Sequence, residues 1–233
     1  MDSNTIHAIV LQLLRWTHFF FGIAWIGHLY YFNFVQAHAE KALDAGQKKV
    51  AIPNYRGRAF WWFRWGAMVT MLSGITYIVY EQFIPSGAPM FKGWFDSSKG
   101  LWITFGGGLG LIMWYNVWFE IWPRQKYIIA SFAGQQEKKA DHDAVVAAAG
   151  KFSRINTYLS IPMLFGMGAR SHFAAFSTTG TLVTMAIIFA VGFGISFHVV
   201  NQVAAKVGKE FIVAPPAAPA APATPAAPPP PAK

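Results

Sequence analysis

Apolar residues in this chain are bunched into five long runs, at roughly 14–37, 60–83, 100–122, 156–176 and 180–203. An α-helix rises about 1.5 Å per residue, so each run can span a hydrocarbon layer about 30 Å thick. Charged residues make up 12% of the 233 residues and hydrophobic ones 54%, which is about half the charge of a soluble domain. The pattern predicts an all-α fold: an integral membrane helical bundle of about five transmembrane helices filling residues 1–210. The stretch 211–233 is almost entirely Ala and Pro; it reads as a disordered tail, because it has nothing to bury.

The connections set an orientation. Lys41, Lys48, Lys49, Arg56 and Arg58 fall between the first two runs, and Arg124, Lys126, Lys138, Lys139, Lys151 and Arg154 between the third and fourth. The other two connections are nearly neutral. Positive-inside bias therefore places the N-terminus outside and the C-terminus in the cytoplasm, in a multi-pass protein of a bacterial-type inner membrane. The same placement accounts for the net charge of +9 through lipid and topology, and argues against nucleic acid as a partner. Trp16, Trp61, Trp62, Trp102 and Trp122 lie near run ends, as interfacial aromatic belts do. The 123–155 connection is too long for a turn, and its Ala-, Gln- and Lys-rich middle reads as an exposed helical extension. The first residues lack a basic start and a cleavage site, so the first helix is expected to be retained.

There is no cysteine, which removes disulfides, iron–sulfur ligation and covalent c-type haem. Histidine is the remaining soft ligand. His7, His38 and His142 fall at ends or in a loop and read as solvated. His18, His28, His172 and His198 fall inside apolar runs, where ionisable side chains usually mark function. On the helical rise, His18 lies about 12 Å and His172 about 8 Å outside the midplane, while His28 and His198 lie about 3 and 9 Å inside it. His18 and His172 thus match as an outer axial pair on the iron of a b-type haem, and His28 with His198 form a looser inner pair for a second haem. Gly22, Gly168 and Gly194 sit one turn from His18, His172 and His198 and leave room for a flat ring. Arg15 suits a haem propionate or snorkels outward. Glu120 reads as interfacial, or as a proton-relay carboxylate. The bland alternative for every one of these histidines is a hydrogen bond that joins two helices.

Several segments resemble one family. Arg15-Trp16-Thr17-His18, Gly22-Ile23-Ala24-Trp25-Ile26-Gly27 and Tyr30-Tyr31-Phe32-Asn33-Phe34 are similar to the first helix of the membrane-bound urate oxidases (urate hydroxylases). Arg64-Trp65-Gly66-Ala67, Leu72-Ser73-Gly74, Trp114-Tyr115-Asn116-Val117-Trp118, Asn156-Thr157-Tyr158-Leu159, Ser171-His172 and His198-Val199-Val200-Asn201 continue the likeness in order. The resemblance implies the N-terminal transmembrane domain of such an enzyme: a b-haem oxidoreductase of purine catabolism that oxidises urate and transfers electrons. Family members continue into a c-type cytochrome, which this chain has no cysteine to hold. A separate cytochrome or other acceptor is then expected, in a membrane complex. The first helix also resembles bacterial membrane protoporphyrinogen oxidases, so a porphyrin-oxidising haem protein is an alternative. A non-catalytic subunit of a larger redox complex is another.

Overall fold

A computed structural model describes residues 2–82, 92–173 and 176–211. These form five long helices: α1 (Ser3–Ala42), α2 (Ala45–Gln82), α3 (98–132), α4 (His142–His172) and α5 (Thr178–Val203). No strand occurs among the described residues. The helix starts are written in local chemistry. Asp2 accepts from the Thr5 amide at 2.7 Å, Ser97 from Gly100 at 3.0 Å and Ser177 from Gly180 at 3.2 Å. Asp44 and Gln47 exchange reciprocal bonds of 2.8 and 3.0 Å before α2. Each cap satisfies amides that the first helical turn leaves without partners.

All five helices begin before the predicted spans, α1 and α3 also run past their ends, and α4 stops at His172, short of the predicted 176. Alanine, lysine and glutamine sustain a helix by intrinsic propensity outside the apolar runs. The Ala-, Gln- and Lys-rich middle of the 123–155 connection, expected to be helical, is instead a break at 133–141, with helix on both flanks. Pro53 and Pro162 lie inside unbroken helices, and Pro123 follows a π-helical stretch. Beyond residue 211 the Ala/Pro tail lies outside the described residues, as do residues 83–91 of the second connection.

α1 pairs along α2, while α3 and α5 flank α4. The main core gathers Trp25, Leu29, Phe32, Phe60, Phe63, Met113, Val117 and Met163 from the first four helices. A smaller core of Trp102, Ala169 and Met185 joins α3, α4 and α5 nearer the other end. The α3–α4 crossing depends on two glycines: a Cβ on Gly106 would stand 2.8 Å from the Met167 amide, and one on Gly166 3.0 Å from the Gly106 Cα. No side chain fits between backbones that close.

Three of the helices contain a π stretch, at Tyr31–Gln36, Asn116–Ile121 and Val199–Val203. Each stretch carries one asparagine, and all three asparagines reach α4. Asn33 donates to Ser153 at 2.8 Å, Asn116 to the Asn156 side chain at 2.8 Å and Asn201 to the Tyr158 hydroxyl at 3.1 Å. A π turn frees carbonyls that an α-helix would use. Side-chain amides take them here: Asn33 bonds the Leu29 carbonyl, Asn201 that of Phe197, and Asn156 that of Met113. α4 is therefore the polar hub of that end of the bundle.

The outer surfaces are apolar. Two helices, α1 and α5, are long and apolar enough to cross a membrane by length and composition. Only 11% of the most apolar window of α1, and 22% of that of α5, is buried inside the protein. Most of both windows is therefore left uncovered by the rest of the protein. α2, α3 and α4 fall below the same apolarity because their runs draw on tryptophan, tyrosine, glycine and polar residues.

Candidate functional site

α1 brings His18 against α2, one turn from Gly22, where an added Cβ would meet the Thr70 side chain in ordinary contact at 3.8 Å. The half-buried His18 ring has Nδ1 at 2.9 Å from the Thr70 carbonyl oxygen. A carbonyl only accepts, so Nδ1 carries the proton and Nε2 keeps its lone pair. That is the arrangement of a metal-ligating histidine whose second nitrogen is fixed by a backbone carbonyl. The ring edge occupies space that Gly74 vacates, since a Cβ there would lie 2.9 Å from His18 Cε1.

A turn nearer the start of α1, Arg15 donates to the Tyr77 hydroxyl at 2.7 Å. Arg170, near the end of α4, stands over the same Tyr77 ring at 5.1 Å and pairs with Glu81. Lys99 reaches Glu81 at 3.4 Å. Three cations against one carboxylate make this corner attractive to an anion. The Arg170–Glu81 pair is mostly shielded, with side chains 14% and 19% exposed. Glu81→Ala would leave that guanidinium without its carboxylate. We expect a loss of about 1–2 kcal/mol, between the values for exposed and buried pairs, read as a lower thermal midpoint in detergent. An unchanged midpoint would mean that the pair is only a surface contact.

His172 lies at the C-terminal end of α4, exposed, two residues beyond Arg170. Described contacts do not join it to His18; the tie between their helices at this end is the shared Tyr77 ring. Gly168 is exposed with open space around it, and so is Gly194. His28 hydrogen-bonds the Ala24 carbonyl through Nδ1 at 2.6 Å and faces a groove between α1 and α2. His198 lines a different groove, with Gln202 and Lys206. The two inner histidines are therefore not brought together. Glu120 pairs with Arg124 at 2.7 Å, one turn on in the same helix, which gives it a local partner.

Sequence reasoning passed over Thr70, Tyr77, Glu81 and Arg170, because each acts through a contact between helices. A faint signal existed in Leu72-Ser73-Gly74 and in Arg170, which directly precedes Ser171-His172. Arg64 was passed over as well: it stands 3.9 Å over the Trp122 ring and 6.0 Å from those of Trp65 and Trp118. At the same end Glu40 accepts from both Tyr55 and Arg56, and Arg56 also reaches Gln125 at 3.1 Å. Burial and the neighbouring carboxylate push the Tyr55 hydroxyl well above its ordinary range. Among the described residues no three His, Cys, Asp or Glu side chains gather at one point. The donor set is thus one of separate histidines.

A family model described as "Urate oxidase N-terminal" matches residues 89–223, more than half of the chain. The match takes in α3 to α5, and with them His172 and His198, but not α1. No curated protein and no solved structure matches the chain.

Proposed function

The chain belongs to the urate oxidase N-terminal family, and from that premise we propose that it is a membrane-embedded b-haem electron-transfer protein of the urate-oxidising kind. The observation that carries the reading is the His18 imidazole, with Nδ1 held by the Thr70 carbonyl at 2.9 Å and its edge seated against Gly74. Such a ring presents a neutral Nε2 without needing to reorganise. A haem on this side would be held by His18 as a histidine ligand, with Arg15, one turn away, for a propionate, and His172 at the same end of the bundle would be the second histidine. When bound, a haem provides the one-electron chemistry that this cysteine-free chain otherwise lacks.

Placement in the membrane rests on the apolar, unburied faces of α1 and α5 and on the two basic connections, which put the His18 end outside and the C-terminus in the cytoplasm. At the outer corner Arg15, Arg170 and Lys99 favour an anionic donor, and urate is the donor that the family points to. Electrons leave for an acceptor that is not part of this chain.

The first test is a dithionite-reduced minus oxidised spectrum of the detergent-purified protein, with haem quantified as its pyridine complex. A b-type signal near one per chain, bleached or reduced on adding urate, is the expected result. A haem-free protein from haem-sufficient cells that emerges with defined partners would instead mark a non-catalytic subunit. Gly74→Ala offers a finer check. The added methyl displaces the His18 ring, so the haem should be retained in part with a shifted Soret maximum. An unshifted spectrum at full occupancy would show that His18 does not touch the iron.

A further inference from the structure

Along the middle of α1, on the far side of His18 from its N-terminus, an open trough of about 730 Å³ runs between α1 and the first half of α2. Its walls include Ile23, Gly27, His28 and Tyr31 on one side and Arg58 and Trp62 on the other. Ile23, Gly27, Tyr31, Arg58 and Trp62 are exposed, so the trough opens on the face that the bundle turns to lipid. A Cβ on Gly27 would meet nothing within 4 Å; the glycine leaves free volume in the trough and is not used for packing. The size is that of a pocket for a small organic molecule.

His28 is the residue that an empty lipid-facing groove does not explain. Its Nδ1 lies 2.6 Å from the Ala24 carbonyl, which can only accept, so the proton sits on Nδ1 and Nε2 is the nitrogen left over. A phospholipid would place its phosphate at Arg58 and its acyl chain along His28, leaving that nitrogen facing hydrocarbon at a cost. A flat ring bearing hydroxyl groups on its edge, as a quinol does, with an apolar tail, satisfies both parts: aromatic walls from Tyr31 and Trp62 for its faces, and an O–H to donate to Nε2.

We propose that this trough binds a membrane quinone, with His28 hydrogen-bonded to its headgroup, and that the quinone is the acceptor for the redox function proposed above. The stoichiometry closes. Oxidation of the donor releases two electrons and two protons; the quinone takes two electrons and two protons, and its two C=O groups become two O–H groups. Protonated, His28 donates Nε2–H to a quinone oxygen and passes that proton on reduction; neutral, the same Nε2 accepts from the quinol O–H it has made. The second proton comes from water at the Arg58 mouth. This extension rests on the haem reading for its role, but not for its binding site.

The test uses the full chain in nanodiscs of neutral phosphatidylcholine, with decylubiquinone titrated and binding read by quenching of tryptophan fluorescence. Saturable binding is expected, weakened at least about tenfold by Gly27→Leu, which fills the trough, and by His28→Phe. His28→Gln, which keeps a hydrogen-bonding group, should stay within about threefold of the parent. Equal affinity in all variants, or quenching that never saturates, overturns the proposal. Displacement of the quinone by phosphatidylglycerol, with Arg58→Gln as the only damaging variant, also overturns it and makes the trough a lipid headgroup site. Haem is quantified in the same samples. Haem without quinone binding removes the trough proposal and leaves the haem reading intact, whereas quinone binding without haem does the reverse.

Discussion

His18→Ala should yield a protein that inserts normally but carries less than about a tenth of the parent's haem, a deficit of more than about 1.4 kcal/mol in binding. Insertion does not depend on the cofactor, because helices in lipid satisfy their own backbone groups. The loss is expected because His18 is the one histidine of the proposed outer pair that the fold already holds. Its tautomer is set by Thr70 and its position by Gly74. His172 is free at the end of α4, so His172→Ala should act differently: haem is kept at lower affinity and changes from a low-spin to a high-spin spectrum. Imidazole added to the His18→Ala protein should restore part of the signal. Full haem content with an unshifted spectrum in both variants would sink the ligand assignment.

The second large effect is expected at Asn156, which is wholly buried on α4. Its amide donates to the Met113 carbonyl at 2.9 Å, and its oxygen accepts from Asn116 at 2.8 Å. Asn156→Leu keeps the volume and removes both bonds at once. Single interhelical hydrogen bonds in membranes average well under 1 kcal/mol, because unfolded helices find other partners. This case should exceed that average. The Met113 carbonyl keeps a backbone bond from the Asn116 N–H, so the group left without its partner is the buried Asn116 side-chain amide. At about 1–3 kcal/mol for an unsatisfied buried group, a loss of about 2 kcal/mol and a fall in Tm on the order of 4–8 °C are expected. Asn156→Asp, which keeps the acceptor for Asn116, should lose less. Equal midpoints for parent and Asn156→Leu would mean that the asparagine belt does not hold α3 to α4.

How far the sequence reached can be judged residue by residue. The five helices were legible because apolar runs of that length have few other ways to fold. Their ends were misjudged, since hydropathy reports where lipid lies and not where helical hydrogen bonding stops. His18 and His172 were legible as polar residues in apolar runs. His28 and His198 line different grooves, which depth along the helices could not foretell, because depth says nothing of which face a side chain takes. Gly22, Gly168 and Gly194 were equally visible, yet Gly22 faces Thr70 on α2 while the other two face open space.

By itself the sequence determined an all-helical chain with apolar outer faces, no thiol chemistry and a small set of histidines able to bind a metal. Those are properties of composition and periodicity, which act along the chain. Only the tertiary structure decided that Thr70 fixes the tautomer of His18, that Arg15 and Arg170 meet on Tyr77, and that three asparagines in π turns converge on α4. Each of these contacts joins residues 40 to 120 positions apart, and helix packing depends on the shapes of facing side chains and on glycines such as Gly74 and Gly106. No local pattern encodes which of several apolar faces will meet.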